Sequence, residues 1–219
     1  ITVIDDSPVL FTRTGNMKTL PIPSNNIDYS TAKDGIKLLQ KHINIQEDQL
    51  PLVTGWLLMS LQASKASYPV LIVNGCAGSG KSTACEMLRS LVDPNKASLI
   101  SKPKSSELRV VSEGNHVLAF DNISNISPNF SDAICKISTG DNQTIRRLYT
   151  SNSPMTISMK NPIILNGIPE IAKRADLVSR SVKISLRKIH ERKTLESSWS
   201  EFNSDSKEIF ESLLVGLSV

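Results

Sequence analysis

Aromatic residues make up only 5% of the 219-residue chain, cysteines number three, and no apolar run approaches the ~18 residues needed to span a bilayer. Each shortage excludes something. The most hydrophobic stretch, Trp56 to Leu61, is about two helical turns long, so no membrane association is expected. Cys76, Cys85 and Cys135 lack metal-type spacing, and His42, His116 and His190 add no ligand pattern, which argues against a zinc site. An odd cysteine count fits a reducing compartment, and cytoplasm is the expectation. With 39% hydrophobic and 21% charged residues the chain is neither disordered, collagenous nor a coiled coil. At this length one globular domain should bury roughly 70% of its unfolded surface without disulfide or metal support. The chain opens on Ile1 with no basic-then-apolar leader, and it reads as part of a longer protein.

Acidic residues are also scarce in one place. Basic and acidic residues balance at 12 each up to Asp132, stand at 12 against 4 from Ala133 to Lys193, and at 1 against 5 thereafter. The net +4 therefore hides a segment of +8, the footprint that phosphate or nucleic acid would require, or else a solvated basic face.

What is present is an alternation of strand and helix. Residues 1 to 30 suggest extended or hairpin structure, Ser30-Thr31 would cap a helix to His42, and Gln46 to Ser64 reads as a second. Pro69 to Asn74 (PVLIVN), His116 to Phe120 (HVLAF) and Pro162 to Leu165 (PIIL) are the continuous apolar runs of strands covered on both faces. Ser82 to Leu91 carries a helical stripe, Ser131-Asp132 opens another helix to Ile137, and Ser181 to Leu186 is a further strand. Gln143 to Thr150 and Met155 to Lys160 read as a β-hairpin, and Leu195 to Val215 as a last helix with Trp199 and Phe202 in core or lid packing. The fold class is α/β, a mostly parallel sheet flanked by helices, with a small helical region before it.

Between the first strand and its helix stands Gly75-Cys76-Ala77-Gly78-Ser79-Gly80-Lys81-Ser82, a match to G-x-x-x-x-G-K-[ST] in the required context. Glycines let successive N–H groups turn inward on a phosphate, and the helix adds its positive end. Residues Gly75 to Thr83 are thus expected to bind ATP, with Lys81 on the β- and γ-phosphates and the Ser82 hydroxyl on Mg²⁺. The second strand delivers Asp121, 40 residues after Lys81, as the carboxylate that completes the magnesium site. Asn122 follows it, and an amide cannot accept a proton. Either Glu113 or Asp132 acts as base, or turnover is slow.

Downstream, Ile137-Ser138-Thr139-Gly140-Asp141, then Arg146-Arg147-Leu148-Tyr149, a hairpin, and Ile163-Ile164-Leu165-Asn166-Gly167 resemble the superfamily 3 helicases of the AAA+ class, in the form found in phages and mobile elements and called primase/helicase-like. The resemblance spans roughly Pro69 to Leu186. It implies that Asn166 senses the γ-phosphate and attacking water, the alternative being an Asn in a tight Asn-Gly turn. It also implies an arginine finger that completes a neighbour's site, with Arg180 favoured and Arg174 its rival. It further implies homo-oligomers, such as hexameric rings, whose hairpins line a channel for single-stranded DNA. Lys136, Arg146, Arg147 and Lys160 would then meet the phosphates, and a primase or other replication protein would be a partner.

The resulting division is residues 1–66 as an N-terminal extension, 67–193 as the P-loop ATPase core, and 194–219 as a C-terminal helix forming a partial lid. The expected activity is Mg·ATP hydrolysis coupled to movement on DNA during replication. A nucleotide-dependent assembly switch is the alternative that Asn122 favours. A small-molecule kinase is disfavoured, because no substrate lid with an arginine cluster is visible.

Overall fold

The computed structural model describes residues 15–32, 34–62, 66–146, 154–167, 171–189 and 191–218. Its centre is a sheet of five strands: β1 (Val70–Gly75), β2 (Ile100–Ser101), β3 (Leu118–Ile123), β6 (Ile163–Gly167) and β7 (Ser181–Leu186). They run in the order β2-β3-β6-β1-β7, and every pairing is parallel. The remaining two strands, β4 (Asp141–Arg146) and β5 (Pro154–Met159), form a separate antiparallel hairpin.

The apolar strand runs exist because both faces are covered. In β1, Leu71 and Val73 point to one core with Ala119 of β3, Ile164 of β6 and Ile184 of β7. That face is covered by α3 (Leu50–Leu61), α4 (Lys81–Ser90) and α8 (Leu195–Leu217), which contribute Trp56, Leu57, Leu88, Phe202 and Ile209. Val70 and Ile72 point the other way, with Leu118, Phe120, Ile163 and Leu165. They pack on α5 (Leu108–Glu113), α6 (Pro128–Thr139) and α7 (Ala175–Ser179) through Leu108, Phe130, Ile134 and Leu177.

Several expected boundaries shift for physical reasons. The first helix is not continuous to His42. It breaks into α1 (Tyr29–Ala32), a 3-10 turn (Gly35–Leu38) and α2 (Leu39–His42), because the backbone there docks on α8. A Cβ on Gly35 would lie 2.5 Å from the Glu208 carbonyl oxygen, and Ile36 N–H donates to Ser212 Oγ at 3.0 Å. The next helix starts with a 3-10 turn (Glu47–Gln49) and is α-helical only from Leu50, with Pro51 in its first turn. α6 begins three residues before the expected Ser131, where Ser127 Oγ accepts from Phe130 N–H and Pro128 takes the first helical position. The hairpin pairs from Asp141 opposite Met159, earlier than the expected Gln143. The stretch 1–14 falls outside the described residues, as do 147–153 with Arg147 and Tyr149. Among the described residues no helix is long and apolar enough to cross a membrane.

Two side chains lock the framework. Arg89, at the end of α4, is 1% exposed and bridges to Asp93 at 3.0 Å. Its guanidinium also donates to the carbonyls of Ala97 and Ser98 and to Asn115 Oδ1. Asp93 in turn accepts from Val117 N–H at 2.9 Å, just ahead of β3. The Asn161 amide donates to the carbonyls of Ser112, Asn115 and His116, tying the foot of the hairpin to the entrance of β3.

Candidate functional site

β6 lies between β1 and β3, with Asn166 opposite Val73 and Leu165 opposite Phe120. The loop after β1, the acidic tip of β3 and the polar tip of β6 therefore meet at one edge of the sheet. The 75–82 loop leads into α4, whose N-cap is Gly80 at φ +79° with no side chain capping the helix. Its first N–H groups are left open to an anion. Lys81 Nζ folds across the loop and donates to the carbonyls of Gly75 (2.8 Å) and Cys76 (2.9 Å). The hydroxyl of Ser79 and the side-chain oxygen of Asn74, at the loop's base, are buried without a hydrogen-bond partner. Such orphaned polar atoms suit a site completed by a ligand.

Three predicted residues converge. Ser82 Oγ donates to Asp121 Oδ1 at 3.0 Å. Asn166 Nδ2 donates to the same oxygen at 2.5 Å and approaches Ser82 Oγ at 3.2 Å. A hydroxyl and a carboxylate side by side form the oxygen-donor set that hard divalent cations prefer, so the residues fit Mg²⁺. Asp121 and Asn122 fall where the β3–β6 register shifts, and Asn122 takes φ +51°. That bulge turns Asn122 out to solvent beside the site.

Gly167, after Asn166, holds the geometry. A Cβ there would sit 2.1 Å from the Ile123 carbonyl oxygen. Gly167→Ala must push β6 from β3 and should cost about 1–3 kcal/mol, read as a lower urea midpoint with the m-value unchanged.

The proposed bases do not join this group. Glu113 ends α5 on the way into β3, at the opposite edge, and pairs with Arg109 at 3.6 Å. Asp132 pairs with Arg174 at 3.0 Å. Arg180 caps α7 immediately ahead of β7, and its carbonyl accepts from Val70 N–H where β1 begins. Its guanidinium bonds the Asp176 carboxylate and carbonyl and stays partly exposed. Asp176 also accepts a hydrogen bond from Cys135, and this contact, followed by Arg180, holds its carboxyl below the usual range. Burial pushes the Cys135 thiol up to about 11, which leaves it unreactive.

The hairpin also rises at the edge where the strands begin. Tyr68 N–H donates to Ser138 O at the end of α6, and Lys160 lies over the Tyr68 ring at 5.6 Å. Lys136 is exposed on α6, and Arg146 closes β4.

On the loop's other flank lies a cleft of about 600 Å³ that sequence reasoning missed. It is lined by Gly78, Ser79, Gly80 and Thr83, by residues 40–44 around α2, and by the segment between β7 and α8. Both walls come from residues remote in sequence, so no local pattern announces it.

A parallel sheet with a glycine-rich phosphate loop between β1 and α4, and acidic and polar strand tips beside it, defines the P-loop α/β fold. Residues 36–219 match the family model of actinomycete integrative conjugative element replication proteins, and the chain belongs to that family. The expected likeness to mobile-element replication proteins is met at this level. A search of curated protein sequences returned no match. Among solved structures, the fold is similar to the NrS-1 C-terminal region, with TM-score 0.59 and 16% identity over 93% of this chain and 48% of that one. A second NrS-1 C-terminal structure gives TM-score 0.55 and 15% identity over 91% and 47%. A compound-bound JCV helicase gives 0.49 and 16% over 85% and 52%. The chain spans about half the length of these structures.

Proposed function

We propose that this chain is the ATP-driven part of a mobile-element replication protein, hydrolysing Mg·ATP and using the cycle to move on single-stranded DNA as a homo-oligomeric ring. The observation that carries the reading is the meeting of Ser82, Asp121 and Asn166 beside an uncapped α4 N-terminus and Lys81.

Each residue has a physical task. The loop N–H groups and the α4 terminus bind phosphate oxygens, and Lys81 exchanges its two carbonyl partners for the β- and γ-phosphates. Ser82 and Asp121 would hold Mg²⁺, which when bound neutralises phosphate charge. Asn166 donates one N–H to the γ-phosphate and accepts from water through its carbonyl, orienting the attack. Thr83 borders the cleft, which receives base and ribose. Arg180 stands a strand length from its own loop, so any phosphate it touches belongs to a neighbouring subunit. Lys136, Arg146 and Lys160 meet the DNA backbone at that same edge, Arg147 is a further candidate for the same contact, and a primase-type partner in the cytoplasm fits this role.

Asn122 favours a second reading, a nucleotide-driven assembly switch with slow turnover. Steady-state hydrolysis with and without single-stranded DNA separates the two. Stimulation severalfold or more by DNA supports the motor, ATP binding without turnover supports the switch, and turnover indifferent to DNA rules out the motor. Mixing Arg180→Ala with Lys81→Ala subunits should restore part of the activity absent from each alone. No restoration would show that Arg180 does not serve a neighbour's site.

A further inference from the structure

A second cavity, of about 510 Å³, opens beside the C-terminal half of α4, and no residue of the 75–82 loop lines it. Three elements enclose it. Glu86 and Ser90 of α4, with Asp93 and Ser98 beyond it, form one wall, Trp199 and Phe202 of α8 a second, and residues 18–21 a third. That third wall is a strap held at both ends. Lys18 N–H donates to Pro94 O at 2.8 Å and Lys96 N–H to Asn16 O at 2.9 Å, while further along Ser24 N–H donates to Glu211 Oε1 of α8 at 2.6 Å.

The α4 wall offers acceptors. The hydroxyl protons of Ser90 and Ser98 are spent on Met87 O and on Glu86 Oε1, both at 2.7 Å, so lone pairs are what these oxygens have left to give. Glu86 is half-buried, and no described residue gives its carboxylate an ion pair. Arg89, one turn further along α4, already gives its charge to Asp93 at 3.0 Å. Lys18 is exposed on the strap and makes no ion pair with a described residue. Across the cavity Trp199 and Phe202 stand edge to face, their centroids 5.6 Å apart. A half-buried carboxylate without a counter-ion is costly, and aromatic rings attract ammonium groups, so both walls favour the same kind of guest.

We propose that this cavity binds a linear aliphatic polyamine, with one ammonium on Glu86 beside the aromatic pair and the methylene chain running past Ser90 toward Leu20 and Pro21 of the strap. An ammonium brings three donors and no acceptor, the complement of the α4 wall. Glu86 and Ser90 lie about one turn apart, ~6 Å along the helix axis, within reach of amines joined by a short methylene run. The bound amine would tie α4, α8 and the strap together at the far end of the helix whose start carries Lys81.

Calorimetric titration of the intact chain with spermidine, free of nucleotide and nucleic acid, tests this. One molecule should bind per chain and raise the melting temperature. Glu86→Gln should weaken binding about tenfold by removing a charge-assisted contact, with its own melting temperature close to native. Trp199→Leu should weaken it severalfold, and Glu196→Gln, exposed on α8, by less than twofold. Equal losses in Glu86→Gln and Glu196→Gln would overturn the proposal, because the amine would then only screen the acidic surface of α8. Affinity unchanged in both Glu86→Gln and Trp199→Leu, or no one-site binding to the native chain, would overturn it as well. Nα-acetyl-lysine amide, with a single ammonium, should bind at least tenfold more weakly than spermidine. Tighter binding of that compound would assign the cavity to a partner's lysine and overturn the polyamine.

Discussion

Arg89→Ala should destabilise the fold by about 3–5 kcal/mol, because it strips the partner from a carboxylate that stays buried. Asp93 is 4% exposed, and without Arg89 its carboxylate keeps, among the described residues, the Val117 N–H alone. The Ala97 and Ser98 carbonyls lose the guanidinium donor as well, and Asn115 Oδ1 is left with the longer bond from Asn95 Nδ2 at 3.3 Å. The measurement is the midpoint of urea unfolding. Arg89→Leu combined with Asp93→Leu should cost less than Arg89→Ala alone, since removing both charges leaves no orphan. If the double change is worse than the single one by the sum of two independent losses, the pair is not acting as a buried unit. Nucleotide affinity should fall with stability too, because this network joins the end of the loop helix α4 to the start of the Asp121 strand.

Lys81→Ala should abolish hydrolysis and weaken Mg·ATP binding by two orders of magnitude or more, equivalent to about 3 kcal/mol of charge-assisted contact. Stability should hardly change. The amine's present partners are the loop carbonyls of Gly75 and Cys76, which water can satisfy once the side chain is gone. Titration of nucleotide into the purified variant, beside a thermal melt, checks both parts. Undiminished binding would remove the phosphate-loop reading. A large fall in melting temperature would show that the lysine is structural.

Features set by local chemistry were the ones legible in the sequence. β7 has the expected bounds, Ser181–Leu186, and β1 and β6 follow their apolar runs within a residue or two, because burial on both faces leaves an unbroken apolar signal. The glycine-rich turn between β1 and α4 was readable for a similar reason: its backbone selects glycines, with Gly78 and Gly80 both at positive φ. β2 is two residues long and owes its existence to Phe120 and Asp121 beside it, so no pattern within it could show. α5 and α7 are too short for a helical stripe. Pro128 after Ser127 was a readable helix start that the later Ser131-Asp132 pair obscured.

The charge pattern was legible in amount but not in place. Its basic block divides between the two edges of the sheet: Lys136, Lys160 and Arg180 lie toward the edge where the strands begin, and Arg187, Lys188, Arg192 and Lys193 toward the phosphate loop. The strand that separates them in sequence, β7, also separates them in space. Arg89 and Asn161 escaped notice because each derives its importance from groups distant in the chain.

β6 carries the hairpin's foot at one end and Asn166 at the other, about 17 Å of extended chain between them. It is hydrogen-bonded along both sides, to β1 and to β3, so it cannot slide without breaking two ladders together. The hairpin root and the Asn166 amide therefore behave as one solid piece. In the oligomer proposed above, a stroke coupled to the nucleotide would be generated where subunits meet, with each sheet carried along as an undeformed plate.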